Sequence, residues 1–472
     1  MRDIVRLTKV TLRNVKNVFA GTIELENGHK AWEPSLLGLY GQNGSGKTSL
    51  IESLQLLKLV MSGESVPSKF EHLITVGEQR AFFEFQFALL DENEGSFDVY
   101  YDFCLERGRV KQASESSVML DVLASVDDDP SLYVTDEKLS VRTQTARKQE
   151  FFNTGSNHEP FTPLARLRAL TKDNRSLVGQ LTVAKQLARQ TSKSLLFSHQ
   201  FLKSLIEAEA DQTSGFEILQ RLKIFALVEL FVFTNEDYGS IGMGSLPILY
   251  REIENQNGFY GTLRFSLTEP NEVSPEVVQV AQKIFEHMNT VLTVLVPGLT
   301  VKIVSGGRKF LADGRMGELI ELVSVRDGRE VALRYESDGI KRIVSILHLL
   351  ICTYNNPSIT VAIDELDSGI FEYLLGELLK IFSRHAYGQL IFTSHNLRPL
   401  ETIGPRFVAF TTVDPHNRYV RMPGIKSTNN LRTVYFRNIV LGLGEKPLYQ
   451  ETDNILIAMA LRKAGRVSDE QR

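Results

Sequence analysis

A chain of 472 residues leaves room for two or three domains of ordinary size. With 43% hydrophobic, 23% charged and 9% aromatic residues it has a globular composition, which excludes wholesale disorder and collagen-like repetition. Lys plus Arg total 53 against 57 for Asp plus Glu, a net charge of -4, so no global basic field draws it onto nucleic acid or anionic lipid.

Two cysteines, Cys104 and Cys352, exclude a disulfide framework and a four-cysteine zinc site, and fit a reducing cytoplasm. Met1–Thr11 lacks the apolar run of a signal peptide. The most apolar stretch, Ile343–Thr353, is broken by Ser345 and His348 and is too short to span a membrane. A soluble cytoplasmic protein with no membrane partner is expected.

Val5–Leu12 and Gly21–Leu25 alternate in polarity as half-buried strands do. Ser35–Tyr40 is a short apolar run ending in a glycine-rich turn, and Thr48–Leu59 then spaces Leu50, Ile51, Leu54 and Leu57 as one helix face. Phe82–Leu89 and Phe97–Cys104 read as aromatic-rich strands of a meander. From Phe151 the period becomes helical. Leu177, Leu181, Ala184, Ala188, Thr191, Leu195, Ser198, Leu202 and Leu205 form a heptad seam with two polar defects, fitting a bundle helix or a short coiled-coil arm. Phe216–Phe233 and Pro275–Leu295 complete the helical set. Strands return at Leu299–Val304, Glu318–Val325 and Glu330–Tyr335, the last two joined by Arg326-Asp327-Gly328-Arg329, a hairpin signal. A helix (Ile340–Tyr354), a strand (Ile359–Ile363), a helix (Tyr373–Ser383) and a strand (Gln389–Thr393) follow, and such alternation predicts a parallel sheet. The polar tail from Gly465 is expected to fray.

Gly41-Gln42-Asn43-Gly44-Ser45-Gly46-Lys47-Thr48 satisfies G-x-x-x-x-G-K-[ST] between a predicted strand and helix. Its glycines let consecutive N–H groups curl around an anion at a helix N-terminus. Lys47 supplies charge to the β and γ phosphates of ATP and Thr48 a hydroxyl to Mg²⁺. Gly41, Asn43, Gly44, Ser45, Gly46, Lys47, Thr48 and Ser49 are therefore the candidate nucleotide-binding residues.

Thr360-Val361-Ala362-Ile363 is an apolar strand that ends in Asp364-Glu365. Carboxylates at the C-terminal end of a parallel strand sit where such sheets bind ligands. Asp364 is the second candidate Mg²⁺ residue, and Glu365 is placed to orient or deprotonate the attacking water. The next strand ends in Thr393-Ser394-His395-Asn396, which brings His395 to the neighbouring strand tip and within reach of a γ-phosphate. His72, His348 and His385 show no metal-ligand spacing.

The 317 positions between Lys47 and Asp364 exceed what a minimal nucleotide domain needs. Ahead of the acids stands Glu336-Ser337-Asp338-Gly339-Ile340-Lys341-Arg342, a Ser-x-Gly turn opening a helix, with Ser337 a plausible N-cap. In this order the chain resembles the ABC-type ATPase heads of the SMC, RecF and OLD class, and Leu12-Arg13-Asn14-Val15-Lys16 resembles the start of those heads. The signature segment and Asp364-Glu365-Leu366-Asp367-Ser368-Gly369-Ile370 are similar to AAA-type, ABC-like ATPases of bacterial abortive-infection and anti-phage defence systems.

The resemblance implies an α/β fold, a P-loop NTPase ABC-type head with a mixed sheet and helices on both sides, split by a helical insertion. The head would comprise 1–150 and 298–472, with the insertion at 151–297. It implies ATP and Mg²⁺ as cofactors and a homodimer, or a higher oligomer of dimers, in which Ser337, Gly339 and Lys341 of one copy meet the γ-phosphate held by Lys47 of the other. Asp367 and Ser368 would cross that interface. The signature departs from the Leu-Ser-Gly-Gly-Gln of transporters, and Phe371-Glu372 replaces the His-Pro pair of relatives. Gln112 is a candidate for the glutamine that senses Mg²⁺.

Three functions follow from these motifs. The first is an ATP-driven switch of a defence complex controlling a separate toxin or nuclease, triggered by a phage protein or DNA. The second is a RecF- or SMC-like repair ATPase that binds DNA directly, for which Arg142, Arg147, Lys148, Arg166, Arg168, Lys172 and Arg175 provide a local basic stretch. The third is a fused nuclease, for which the 77 residues after His395 are too few. Asp127-Asp128-Asp129, followed by Pro130, reads as an exposed acidic turn.

Overall fold

The computed structural model describes residues 4–91, 95–108, 131–143, 146–207, 214–254, 257–422, 430–441, 448 and 454–467. Gln112, Asp127–Asp129 and most of the polar tail lie outside these residues. The chain runs β1 (Ile4–Val15), β2 (Val18–Glu24), β3 (Ser35–Tyr40), α1 (Lys47–Ser62), β4 (Arg80–Asp91), β5 (Gly95–Arg107), β6 (Leu132–Arg142) and β7 (Gln149–Asn153). Helices α2 (Leu164–Thr171), α3 (Arg175–Gln190), α4 (His199–Glu207) and α5 (Ser214–Val228) lead into β8 (Leu230–Phe233). Then come α6 (Asn235–Gly242), β9 (Ser245–Glu254), β10 (Asn257–Ser266), β11 (Asn271–Val273), α7 (Pro275–Leu295), β12 (Thr300–Phe310), β13 (Met316–Arg326) and β14 (Arg329–Ala332). The remainder is α8 (Asp338–Asn355), β15 (Thr360–Ile363), α9 (Glu372–His385), β16 (Gln389–Thr393), β17 (Val408–Thr411), β18 (Tyr419–Val420), α10 (Leu431–Leu441) and α11 (Asn454–Val467). No helix among the described residues is long and apolar enough to cross a membrane.

Two six-stranded sheets organise the structure. One is ordered β18-β17-β3-β16-β15-β8, parallel except for β18. Its inner strands are continuous apolar runs buried on both faces, as parallel strands covered by helices must be. Alternate residues feed two cores. Leu37, Leu39 and Ala362 join Leu50, Leu54 and Leu57 of α1. Leu36, Val361, Ile363 and Leu390 face Val344, Leu347 and Leu379 of α8 and α9. The other sheet, β2-β1-β4-β5-β6-β7, is antiparallel. There Phe83, Phe85 and Phe87 point to the first core and Phe83 stacks on Phe103 at 5.1 Å. Helix α1 thus lies between the two sheets, each fully buried leucine contributing roughly 1.5–3 kcal/mol.

Gln389, fully buried at the start of β16, ties the sheets together. Its amide nitrogen donates to the carbonyl of Leu7 at 2.8 Å and to Ser35 Oγ at 3.0 Å. Its amide oxygen accepts from Leu7 N–H at 2.7 Å and from Thr360 Oγ1 at 3.0 Å. The side chain thereby does for β1 what a neighbouring strand would do. Gln389→Leu leaves both backbone groups of Leu7 without a buried partner, and at ~1–3 kcal/mol for each such group we expect about 2–5 kcal/mol less stability in chemical denaturation.

The middle of the chain departs from the all-helical expectation. The segment expected as one helix from Phe216 to Phe233 ends at Val228, and Leu230-Phe231-Val232-Phe233 becomes β8, parallel to β15 and edge strand of the mainly parallel sheet. Four consecutive apolar residues are too short for a buried helix and fit a strand covered on both faces. The β9–β10 hairpin is a second strand pair in this region.

Nor is the heptad seam one arm, because α3 and α4 are separated by Thr191–Ser198. Leu181, Ala184 and Ala188 bury beside β6, and buried Glu137 on β6 accepts from the Leu195 N–H at 2.6 Å and from Ser194 Oγ. The helix ends before that point, where Ser192 takes φ 53° and the Lys193 N–H donates to the Ala188 carbonyl at 2.8 Å. At the expected hairpin, Asp327 and Gly328 take positive φ and pair Arg326 with Arg329, though the strand after it stops at Ala332 and Leu333–Tyr335 forms a 3-10 turn.

Candidate functional site

The phosphate loop connects β3 to α1. Gly46 caps the helix with φ 91°, a left-handed conformation that favours glycine. Gly41 is required for a different reason, since a Cβ there would lie 1.8 Å from Thr411 Oγ1. Lys47 is 6% exposed, and its Nζ donates back to the carbonyls of Gly41 (2.8 Å) and Gln42 (3.0 Å). Burial pushes this ammonium below the ordinary lysine value, against the pull of Asp364, Glu365 and Asp367.

Strand β15 delivers the acids. Asp364 is buried at the end of β15, and its Oδ1 accepts from Thr393 Oγ1 at 2.5 Å. Burial raises the Asp364 carboxyl above the usual aspartate value, while hydrogen bonds from Thr393 and Thr48 oppose the rise. Its Oδ2 has no hydrogen-bond partner among the described residues. A buried carboxylate with a free oxygen, touching the Thr48 hydroxyl, is a hard-oxygen pair that fits Mg²⁺. Thr48 and Asp364 would hold that ion, which when bound supplies charge neutralisation to the transferred phosphoryl group.

Glu365 adopts φ 48°, a conformation that costs a non-glycine residue of order 1 kcal/mol and is held by the surrounding bonds. Its N–H donates to Thr393 Oγ1 at 2.8 Å. One threonine hydroxyl therefore fixes both acids. His395 is exposed at the tip beyond β16, and its N–H and that of Asn396 donate to Asp367 Oδ2 at 3.1 and 2.9 Å.

These groups converge. Asn43, Gly44, Ser45, Gly46, Lys47, Thr48, Ser49, Asp364, Glu365 and His395 line one cavity of about 320 Å³, together with Lys16, Asn17 and Thr393. The strand order explains this, because β16 lies between β3 and β15 and all three tips open on the same edge. Gly41 lies behind the loop rather than in the cavity.

Ser337, Gly339 and Lys341 lie elsewhere, at the start of α8, where Ser337 is exposed and Gly339 and Lys341 are half-buried. Ser337 caps that helix by accepting from Ile340 N–H at 3.4 Å, and Lys341 pairs with Asp338 at 3.4 Å. A Cβ on Gly339 would lie 2.1 Å from the Gly369 carbonyl, so two backbones touch here, and Arg342 donates to Ser368 Oγ. Within one chain the signature helix is thus fastened to the segment that also holds the His395 loop.

Residues 232–400 match the family described as AAA domain, putative AbiEii toxin, Type IV TA system. The match begins inside β8 and ends beyond β16, covering both acids, the signature and His395. Over that stretch the chain is similar to an AAA-type domain. A curated relative, the DNA replication and repair protein RecF of Deinococcus radiodurans, is 33% identical over 78 residues, which span 16% of this chain and 19% of RecF. Among solved structures, the SMC head domain from Thermotoga maritima overlays 88% of this chain and 98% of its own at 15% identity and a TM-score of 0.36. The Smc head of Pyrococcus furiosus with an extended coiled coil, bound to the C-terminal domain of ScpA, covers 92% and 99% at 11% identity and 0.40. RecF with ATP covers 89% and 100% at 12% identity and 0.35.

Several residues around the cavity escaped the motif reading. Thr393 appeared only as the last residue of a strand, and Asn17 was not singled out. Strands β17 and β18 were not expected at all, although Phe407-Val408-Ala409-Phe410 is an apolar run as long as Thr360–Ile363.

Proposed function

We propose that this chain is an ATP-binding and ATP-hydrolysing switch in which two copies close over shared nucleotides and control a separate effector, a toxin or nuclease subunit of a bacterial defence system. The observation that carries the catalytic part is the convergence of Lys47, Thr48, Asp364, Glu365 and His395 on one cavity. The loop N–H groups and Lys47 bind the phosphates, Glu365 takes the proton of the attacking water as its oxygen bonds the γ-phosphorus, and ADP leaves. His395 donates a hydrogen bond to the γ-phosphate. The defence role draws on the family match, whose description names a putative toxin.

Closure of two copies is supported by the exposed start of α8, which presents Ser337 and Gly339 away from their own cavity. Backbone contact of Gly339 with Gly369, and the grip of Asp367 on the His395 loop, give γ-phosphate contact in one copy a rigid path to the acids of that same copy. The middle segment, 151–297, is proposed to receive the partner or the trigger. Ser337→Arg is expected to abolish ATP-dependent dimers in light scattering while monomer affinity for ATP stays within about twofold. Dimers persisting in that variant would overturn the shared site.

A RecF-like repair ATPase is the second reading, favoured by the 78-residue match to RecF. The basic stretch is partly engaged already: Arg142 pairs with Asp98, Lys148 lies 3.9 Å from the Tyr100 ring centroid, and Arg166 lies 3.6 Å from that of Phe151. Salt-dependent DNA binding by the isolated protein would favour this reading, and its absence at low salt the protein-effector switch.

A further inference from the structure

We infer that the β17–β18 hairpin is a brace that sets the phosphate loop for nucleotide, with Thr411 and Tyr419 as positioning residues. Tyr419 is fully enclosed against β2, and its hydroxyl donates to the Gly46 carbonyl at 2.8 Å. That carbonyl and the Lys47 N–H belong to one planar peptide unit. Holding the oxygen back on Tyr419 therefore aims the N–H outward, toward the position a phosphate oxygen takes at a helix N-terminus. Thr411, at the end of β17, lies with its hydroxyl 2.5 Å from Ser45 Oγ, and its Oγ1 occupies the space where a side chain on residue 41 would stand.

Arg418 extends the brace to the N-terminal sheet. It is 6% exposed, and donates to the Thr412 carbonyl at 2.7 Å and to the Asn17 carbonyl at 2.5 Å. Asn17 in turn donates from its amide to the Gly44 carbonyl. The Arg418 N–H and Ala20 carbonyl (3.0 Å), with the Ala20 N–H and Pro415 carbonyl (2.9 Å), lock the hairpin to β2. Gly44, Ser45 and Gly46 are thus each held by a side chain, from Asn17, Thr411 and Tyr419 respectively, and of these Asn17 alone also lines the cavity. A loop whose peptide planes are fixed before nucleotide arrives loses less conformational freedom on binding, which raises affinity without changing the reaction.

The inference rests on nucleotide being the ligand of this loop. The test uses the full chain with Tyr419→Phe and Thr411→Val, which keep ring and branch packing and remove one hydroxyl each. Binding of a fluorescent N-methylanthraniloyl ATP, KM, kcat and the melting midpoint without nucleotide are read. Loss of one neutral hydrogen bond corresponds to roughly three- to tenfold, so each variant should bind that much more weakly and raise KM likewise, with kcat within about twofold. Wild-type affinity in both variants overturns the brace, as does a lowered midpoint with unchanged KM, which would mark a role in stability alone. If the unaltered protein fails to bind the probe, the nucleotide reading falls and takes this inference with it.

Discussion

Glu365→Gln should lower turnover by roughly 10²- to 10⁴-fold, the range supplied by a positioned general base, or about 2.7–5.4 kcal/mol of barrier. ATP affinity should stay near that of the unaltered chain. Glutamine has the size of glutamate, so the left-handed turn at this position and the N–H bond to Thr393 persist. None of the contacts that shape the phosphate loop uses the Glu365 side chain. ATP should therefore assemble dimers of this variant that do not come apart. Phosphate release in single-turnover and steady-state assays, beside ATP binding and dimer lifetime, checks the point. Normal hydrolysis would remove Glu365 as the base and direct attention to His395.

Lys47→Ala acts one step earlier. Charge-assisted hydrogen bonds are worth ~1.5–3 kcal/mol each, so two lost to phosphate oxygens weaken ATP by about 10²- to 10⁴-fold. Lys47 also sits in the field of Asp364, Glu365 and Asp367, and without it the two carboxylates that line the cavity lose their nearest counter-charge. Added triphosphate would then meet net repulsion. Folding should change little, since Gly41 and Gln42, whose carbonyls Lys47 caps, are half-buried rather than enclosed and can be hydrated. Calorimetric titration with ATP should show no measurable heat while the melting midpoint moves by a few degrees at most. ATP-dependent dimers in this variant would contradict the proposed switch.

Much of the site was legible because its chemistry is carried by short segments. Gly41–Thr48 needs a fixed glycine pattern to curl, and Thr360–Glu365 needs an apolar run that stops at two acids, so each announces itself locally. What joins them is not local. Thr393 reveals its role only when β16 is seated between β3 and β15, because a strand-terminal threonine is unremarkable until its neighbours are known. The same holds for Gln389, whose partners at Leu7 and Ser35 lie more than 350 positions away. Leu230–Phe233 was hidden by the helical pattern just before it, and a short apolar run takes its conformation from whatever it packs on. The heptad seam was real in its spacing, and Leu181, Ala184 and Ala188 are buried as that spacing requires. Its partner is a sheet rather than another long helix, which periodicity alone does not distinguish.

The position of β3 has a consequence for how the protein comes into being. Ser35–Tyr40 leaves the ribosome long before its two flanking strands, Gln389–Thr393 and Val408–Thr411. Until those are made the apolar run has neither neighbour, and pairings this distant in sequence are the slow ones. A message cut short between the motif and β15 would yield a polypeptide with an intact glycine-rich motif, an unpaired sticky edge and neither acid of the cavity. Competence for ATP would then report that synthesis has passed β16.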